Sequence, residues 1–322
     1  MEKGNLRAGR LKKTVLDVLH NKEPRMLLGA GIGNDFSVWE SEPGELLISA
    51  DGFGESPAAA FHKAMNNFLC SLGKCEFARV MLFLPENVKE SHIKKYMTEI
   101  EELAALFGVS IIGGNTRVSE LLAKPSFSVT VFGKAKELRF LREKIHPEFD
   151  IVFAGHFGRL GVAELMEKNE EKLSKRFSAQ YLSELSFAKE ELSIQKPIKV
   201  IYEEALSEKA NICYIHDISE GGIYTALWQL GEKIHKGIWV DNNKILVPQE
   251  IIEICECLNV NPYLLDGTGG VLLVCENGRR VSEAMKREGI SAKVIGKVTA
   301  QKERQIYISE NDIRTLSSEE KI

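Results

Sequence analysis

No part of this 322-residue chain is an unbroken apolar run approaching the roughly 20 residues that a spanning helix needs, so no membrane partner is expected. The opening residues Met1-Glu2-Lys3-Gly4 are polar and lack the apolar segment and small-residue cleavage pattern of a secretory leader; a cytoplasmic protein is expected. A basic excess is also missing. With 42 Lys and Arg against 46 Asp and Glu, the net charge of −4 excludes the electrostatic footprint of a nucleic-acid binder. Cysteine is sparse: Cys70, Cys75, Cys213, Cys255, Cys257 and Cys275 are scattered, and no C-x-x-C pair has a matching second half, so no zinc site is expected. Cys255 and Cys257 point to different faces of a predicted helix and read as buried or free thiols, with a redox pair as the alternative. The dinucleotide fingerprint is absent too. It needs G-x-G-x-x-G between a strand and a helix, whereas Gly29-Ala30-Gly31-Ile32-Gly33-Asn34-Asp35 is spaced G-x-G-x-G and runs into the alternating segment Phe36-Ser37-Val38-Trp39.

What is present is an ordinary globular composition, 44% apolar and 27% charged, with length for about two domains of roughly 150 residues. Leu11, Val15, Val18 and Leu19 form one stripe of an amphipathic opening helix over 8–20. Leu46 to Ala50 reads as a buried strand ending at Asp51-Gly52. A helix follows with Ser56 as N-cap and Pro57 at its first position. Val80 to Leu84 is a further strand, and Ile93, Met97, Ile100, Ala104 and Phe107 mark a helix closed by Gly108. Strands at 109–112, ending in Gly113-Gly114-Asn115-Thr116, and at 127–132 complete this half.

A charged stretch from Lys134 to Pro147 sets the boundary near 146, giving expected domains 1–146 and 147–322. In the second half, strands are predicted at 151–154, 211–215, 271–275 and 292–298, and helices after Gly161 and at 222–235, 249–258 and 279–288. The fold class is α/β or α+β, with a polar C-terminal tail.

Chemistry concentrates where strands are predicted to end beside glycine. Asp35, Asp51, Asn66, Asn67 and Asn115 are oxygen donors of the kind Mg²⁺ prefers, although each alone also suits a turn or cap. Asp217-Ile218-Ser219-Glu220-Gly221-Gly222 precedes a helix whose first N–H groups could receive an anion; a plain tight turn reads the same way. His216 is a structural residue or a proton carrier. Asp266-Gly267-Thr268-Gly269-Gly270 reads as a turn, and Gly155, Gly158 and Gly161 as packing glycines.

Five of these segments stand in a recognisable order: Gly31-Ile32-Gly33-Asn34-Asp35, Ser49-Ala50-Asp51-Gly52, Asn66-Asn67, Gly113-Gly114-Asn115-Thr116 and His216 to Gly222. With Phe153-Ala154-Gly155-His156-Phe157-Gly158 opening the second half, the chain resembles the aminoimidazole ribonucleotide (AIR) synthetase, or PurM-like, superfamily over nearly its whole length. Leu84-Pro85, the 91–108 helix and Gly113 to Ser119 give it a particular likeness to the HypE-like branch. The resemblance implies a homodimer whose first domains pair into a shared β-barrel, and an enzyme that uses ATP and Mg²⁺ to phosphorylate an oxygen of an amide, carbamoyl or similar group. It assigns Asp35, Asp51, Asn67 and Asn115 to the metal, and Gly33, Gly113, Gly114, Gly221 and Gly222 to the nucleotide along with Asp35, Asp51, Asn67 and Asn115. His216 and Asp217 take the catalytic role.

Asn67 and Asn115 stand where many relatives have aspartate, and Asn34 departs similarly; three neutral amides attract a divalent ion less than carboxylates do. HypE proper carries its reacting group on a C-terminal cysteine, whereas the last cysteine here is Cys275 and the chain ends Ser317 to Ile322. The expectation is therefore a relative acting on a free small molecule or a partner's side chain. A catalytically silent dimeric binding or regulatory protein and a thiamine-monophosphate kinase are the alternatives.

Overall fold

The computed structural model describes residues 6, 8–20, 23–135, 144–185, 189–207 and 209–317. Most of the charged connector and the tail beyond Ser317 lie outside the described residues. One unit, here the N-terminal unit, comprises Lys22–Ala30 and Asn34–Leu138; the other, the C-terminal unit, comprises Met1–Asn21, Gly31–Gly33 and Arg139–Ile322.

The N-terminal unit contains β1 (Met26–Leu28), β2 (Ser37–Glu42), β3 (Glu45–Gly54), β4 (Lys74–Leu84), β5 (Ser110–Val118) and β6 (Ser126–Ala135), in sheet order β1-β2-β3-β6-β4-β5. Its helices, numbered after α1 (Ala8–Thr14) of the other unit, are α2 (Pro57–Leu69) and α3 (Glu90–Phe107). The N-terminus of α2 forms as expected: Ser56 is extended and its side chain accepts from the Ala59 N–H at 3.2 Å, with Pro57 at the first turn. Burial alternates along β3 and β6, and one face carries the apolar set Ile48, Ala50, Val129 and Val131.

Two strands run further than expected. β3 does not end at Asp51-Gly52, because Gly52 has a packing role: a Cβ there would lie 2.3 Å from the Ala60 carbonyl oxygen, where α2 crosses the strand. β5 likewise continues through Gly113-Gly114-Asn115-Thr116, which is neither a loop nor a strand end.

The C-terminal unit is a seven-stranded sheet of order β13-β12-β9-β11-β7-β10-β8. Its strands are β7 (Asp150–Gly155), β8 (Ile212–Ile218), β9 (Gly237–Asp241), β10 (Gly270–Cys275), β11 (Ala292–Thr299), β12 (Arg304–Ser309) and β13 (Asp312–Thr315). Its helices after α1 are α4 (Arg159–Lys168), α5 (Glu170–Ser174), α6 (Ala179–Glu184), α7 (Gln195–Leu206), α8 (Gly222–Ile234), α9 (Gln249–Leu258) and α10 (Gly278–Arg287). β10 is buried at every position and pairs antiparallel with both β7 and β8. Each of its fully buried Val and Leu side chains contributes about 1.5–3 kcal/mol of transfer free energy.

Sequence periodicity places most of these elements well but gives no sign of β9, β12 and β13. The opening helix is shorter than expected: α1 stops at Thr14 and buries nothing, and Val15, Val18 and Leu19 are exposed.

Candidate functional site

Within the N-terminal unit, Asp51 points from the exposed face of β3. Thr130, its cross-strand neighbour on β6, donates its hydroxyl to Asp51 Oδ1 at 2.6 Å. The β2–β3 pairing ends with Ser37 opposite Ser49, and just past that point along β3 Asn67 Nδ2 on α2 donates to the Asp51 main-chain carbonyl at 2.9 Å. Asp51 is thus oriented through both its carboxylate and its backbone. Asn34 makes a bond of the same kind, donating from Nδ2 to the Gly29 carbonyl at 2.7 Å. An aspartate carboxylate could donate neither bond, so the amide has a structural use at both positions.

Asn115 lies elsewhere. It pairs with Met81 on β4, and β5 is three strands from β3 in the order β3-β6-β4-β5. At ordinary strand spacing that is about 14 Å, beyond the reach of one ion holding both Asp51 and Asn115 of a single chain. The pairing also jumps from Ala78 opposite Ile111 to Arg79 opposite Gly113, leaving Ile112 as an extra residue, a bulge. Gly114, at φ +153°, follows it so closely that a Cβ would sit 1.7 Å from the Val80 carbonyl oxygen. Gly114 therefore serves strand contact.

Within the C-terminal unit, β8 presents a row of buried polar groups. Tyr214 donates its hydroxyl to the Gly33 carbonyl at 2.9 Å. A Cβ on Gly33 would lie 3.1 Å from the Gln229 carbonyl oxygen, so this glycine seats α8. His216, two residues on, places Nε2 3.0 Å from Gln229 Oε1. His216 and Asp217 are 4% and 3% exposed, and a ring nitrogen of one lies within 4.8 Å of a carboxylate oxygen of the other.

After β8 the chain turns tightly. The Ser219 carbonyl accepts from the N–H groups of both Gly222 and Gly267 at 3.1 Å, joining the Gly221-Gly222 turn to the loop 266–270. Asp266 Oδ1 holds that loop by accepting from Thr268 N (3.0 Å) and Thr268 Oγ1 (2.6 Å), the turn role read from the sequence. Gly221 (φ +81°) caps α8 without a side-chain bond, and the helix dipole makes this start a positive end suited to an anion.

A charged cluster at the end of β7 escaped the sequence reading. Arg159, first residue of α4, places Nε 3.2 Å from Glu191 Oε2 and Nη1 3.4 Å from Glu250 Oε1, while His156 Nδ1 lies 3.7 Å from Glu191 Oε2. Burial lowers the His156 pKa; Glu191 opposes this, and Arg159 and Lys196 add to it. Beside the cluster, Phe153, Phe157, Ile218, Ile223 and Leu265 line an apolar crevice too tight to admit a water molecule. The sequence signal was faint: an arginine following a glycine turn, with its partners 32 and 91 residues away.

Models of the AIR synthase related protein match the chain over residues 33–135 for the N-terminal domain and 151–309 for the C-terminal domain. The chain is 26% identical over 223 residues to a hydrogenase expression/formation protein of Methanocaldococcus jannaschii, a match covering 68% of this chain and 62% of that one. It thus spans a little under two thirds of that relative's length. It is 21% identical to the carbamoyl dehydratase HypE of Azotobacter vinelandii over 85% of this chain and 81% of the relative. Among solved structures it resembles a chain of the HypE–HypF complex (TM-score 0.76, 17% identity, covering 96% of this chain and 99% of that one). A similar match is to HypE in complex with ATP (TM-score 0.70, 16% identity, 99% and 96%). These likenesses show a PurM-like fold.

Proposed function

Since the chain belongs to the AIR synthase-related family, we propose that it is an ATP-dependent enzyme of the HypE-like branch that phosphorylates the oxygen of an amide, carbamoyl or related group. Its relatives named for carbamoyl dehydration, and the likeness to a HypE that binds ATP, support this reading. The observation that carries it is Asp51, an exposed carboxylate that accepts from the Thr130 hydroxyl and whose main-chain carbonyl accepts from Asn67.

In the proposed reaction the γ-phosphoryl group of ATP moves to the substrate oxygen, which becomes a good leaving group, so that a nucleophile can add or water be lost. Such transfers depend mainly on positioning and charge neutralisation. Mg²⁺, when bound, neutralises phosphate charge. Asp51 keeps acceptor capacity beyond its bond from Thr130, and Asn67 keeps its Oδ1; both are hard oxygen donors of the type such an ion takes. Asp35 is assigned with them, while Asn115 is left out of a single-chain set on distance. The start of α8, with Gly221 and Gly222, is assigned to an anionic group. His216 and Asp217 are assigned to substrate-side proton handling, with Gln229 fixing the imidazole orientation.

The chain is also proposed to act as a homodimer. Phe53 on β3 and Phe77 on β4 are 53% and 42% exposed on the helix-free face of the N-terminal sheet, an apolar surface suited to a second copy.

ATP turnover is the test. With purified protein, Mg-ATP and a panel of carbamoyl and amide compounds, the expected result is substrate-dependent ADP release. Phosphate transfer to thiamine monophosphate would instead identify the kinase branch, and the absence of turnover with every acceptor would favour the silent binding protein.

A further inference from the structure

A buried polar bridge at the base of α8 has no part in the chemistry above. Asn242 is 8% exposed and begins the 3-10 turn Asn242–Lys244 after β9. Its Oδ1 accepts from the Tyr224 hydroxyl at 2.8 Å and its Nδ2 donates to the Tyr263 hydroxyl at 2.9 Å. The two phenol rings lie face to face, 4.9 Å between centroids and 6° from parallel. Phe157 meets Tyr263 edge-on at 6.1 Å, and Phe153 meets Phe157 at 6.2 Å, so an aromatic column runs from β7 to α8.

The bridge joins the first turn of a helix to a 3-10 turn. Tyr224 is the third residue of α8, one turn from the glycine cap; Tyr263 is the middle residue of the 3-10 turn Pro262–Leu264 that leads into the loop 266–270. Between them lies Gly222, at φ +65°, where a Cβ would meet the carbonyl oxygens of Tyr263 at 2.4 Å and Leu265 at 2.6 Å. At such close approach the helix start can move only if the 263–265 backbone moves with it. An amide is suited to this place because it accepts from one hydroxyl and donates to the other, which fixes the direction of both bonds.

We propose that Asn242 is a positioning residue that holds the start of α8 in place for the phosphate groups of the nucleotide, acting through Tyr224 and Tyr263 without touching the ligand. This rests on the reading that the Gly221-Gly222 helix start receives an anionic group.

The test compares the wild type, Asn242→Leu and Tyr263→Phe for binding of Mg-AMPPNP and of adenosine by calorimetry, with amide hydrogen exchange in parallel. Loss of both buried bonds in Asn242→Leu is expected to weaken Mg-AMPPNP about tenfold and leave adenosine within about twofold, since adenosine has no phosphate. Tyr263→Phe keeps the ring stack and removes one bond; it is expected to fall between, and it carries the test if Asn242→Leu does not fold. Equal loss for both ligands, or no loss for either, overturns the proposal. If the wild type binds no Mg-AMPPNP, the reading of the helix start falls, and exchange then decides the positioning role separately. Faster exchange confined to 223–224 and 263–267 supports it; an equal rise along β10 overturns it.

Discussion

At the scale of single residues, the amides are more informative than the acids. Asn34 and Asn67 each donate to a main-chain carbonyl, a bond that aspartate cannot make. Asn67→Asp would set a carboxylate oxygen against the Asp51 carbonyl. It is expected to cost about 1 to 2 kcal/mol, visible as a lower midpoint in urea denaturation; an unchanged midpoint would show that the bond contributes nothing.

His156 gives a pH prediction. Burial lowers its pKa from the ordinary 6.5, so the folded state binds the proton less well than the unfolded chain. Its contribution is unchanged above that value, and stability declines as pH falls below about 6.5 towards the lowered folded pKa. Melting followed between pH 7.5 and 5 is expected to show a steeper acid loss in the wild type than in His156→Gln, and identical slopes would contradict it. The thiols are quiet by comparison. Burial raises Cys255 to about 11, which leaves little thiolate at neutral pH for the redox pair with Cys257 that spacing alone permits.

At the scale of elements, the sequence showed its helices and central strands because their apolar periods repeat over enough residues. α2 was legible from Ser56, Pro57 and the stripe through Phe61, Ala64 and Phe68, and β10 from its unbroken run of Val and Leu. Glycine misled it. Gly52 and Gly114 read as strand ends, yet each lies inside a strand because a neighbouring backbone passes where a Cβ would stand. Nothing local distinguishes that use from a turn. The charged cluster around Arg159 was hidden for a related reason, since its partners are distant in sequence. Gly222 provides the element-scale test: Gly222→Ala forces a Cβ into the Tyr263 carbonyl at positive φ. It is expected to destabilise by about 2 kcal/mol or more, read as a reduced denaturation midpoint. A neutral result would mean that α8 and the 263–265 turn are not locked together.

At the scale of the whole molecule, family membership was legible because five weak motifs stand in one order, while the chemistry each performs depends on pairings that no single motif encodes. The homodimer proposal makes its own prediction. Phe53 is 53% exposed in the single chain, so Phe53→Asp would be nearly neutral for an isolated chain. If the sheet faces pair, it buries a charge at the contact. Sedimentation at micromolar concentration is expected to give a dimer for the wild type and a monomer for the variant; the same species for both would contradict the paired faces.

The central claim is that Asp51 helps to hold a metal–nucleotide complex, and calorimetric titration of the wild type and Asp51→Asn with Mg-AMPPNP tests it most directly. The account predicts wild-type binding with a Kd below about 1 mM, weakened at least about tenfold in the variant, where a charged ligand for the cation has been lost. Equal binding by the two proteins, or no binding by either at millimolar nucleotide, would contradict it.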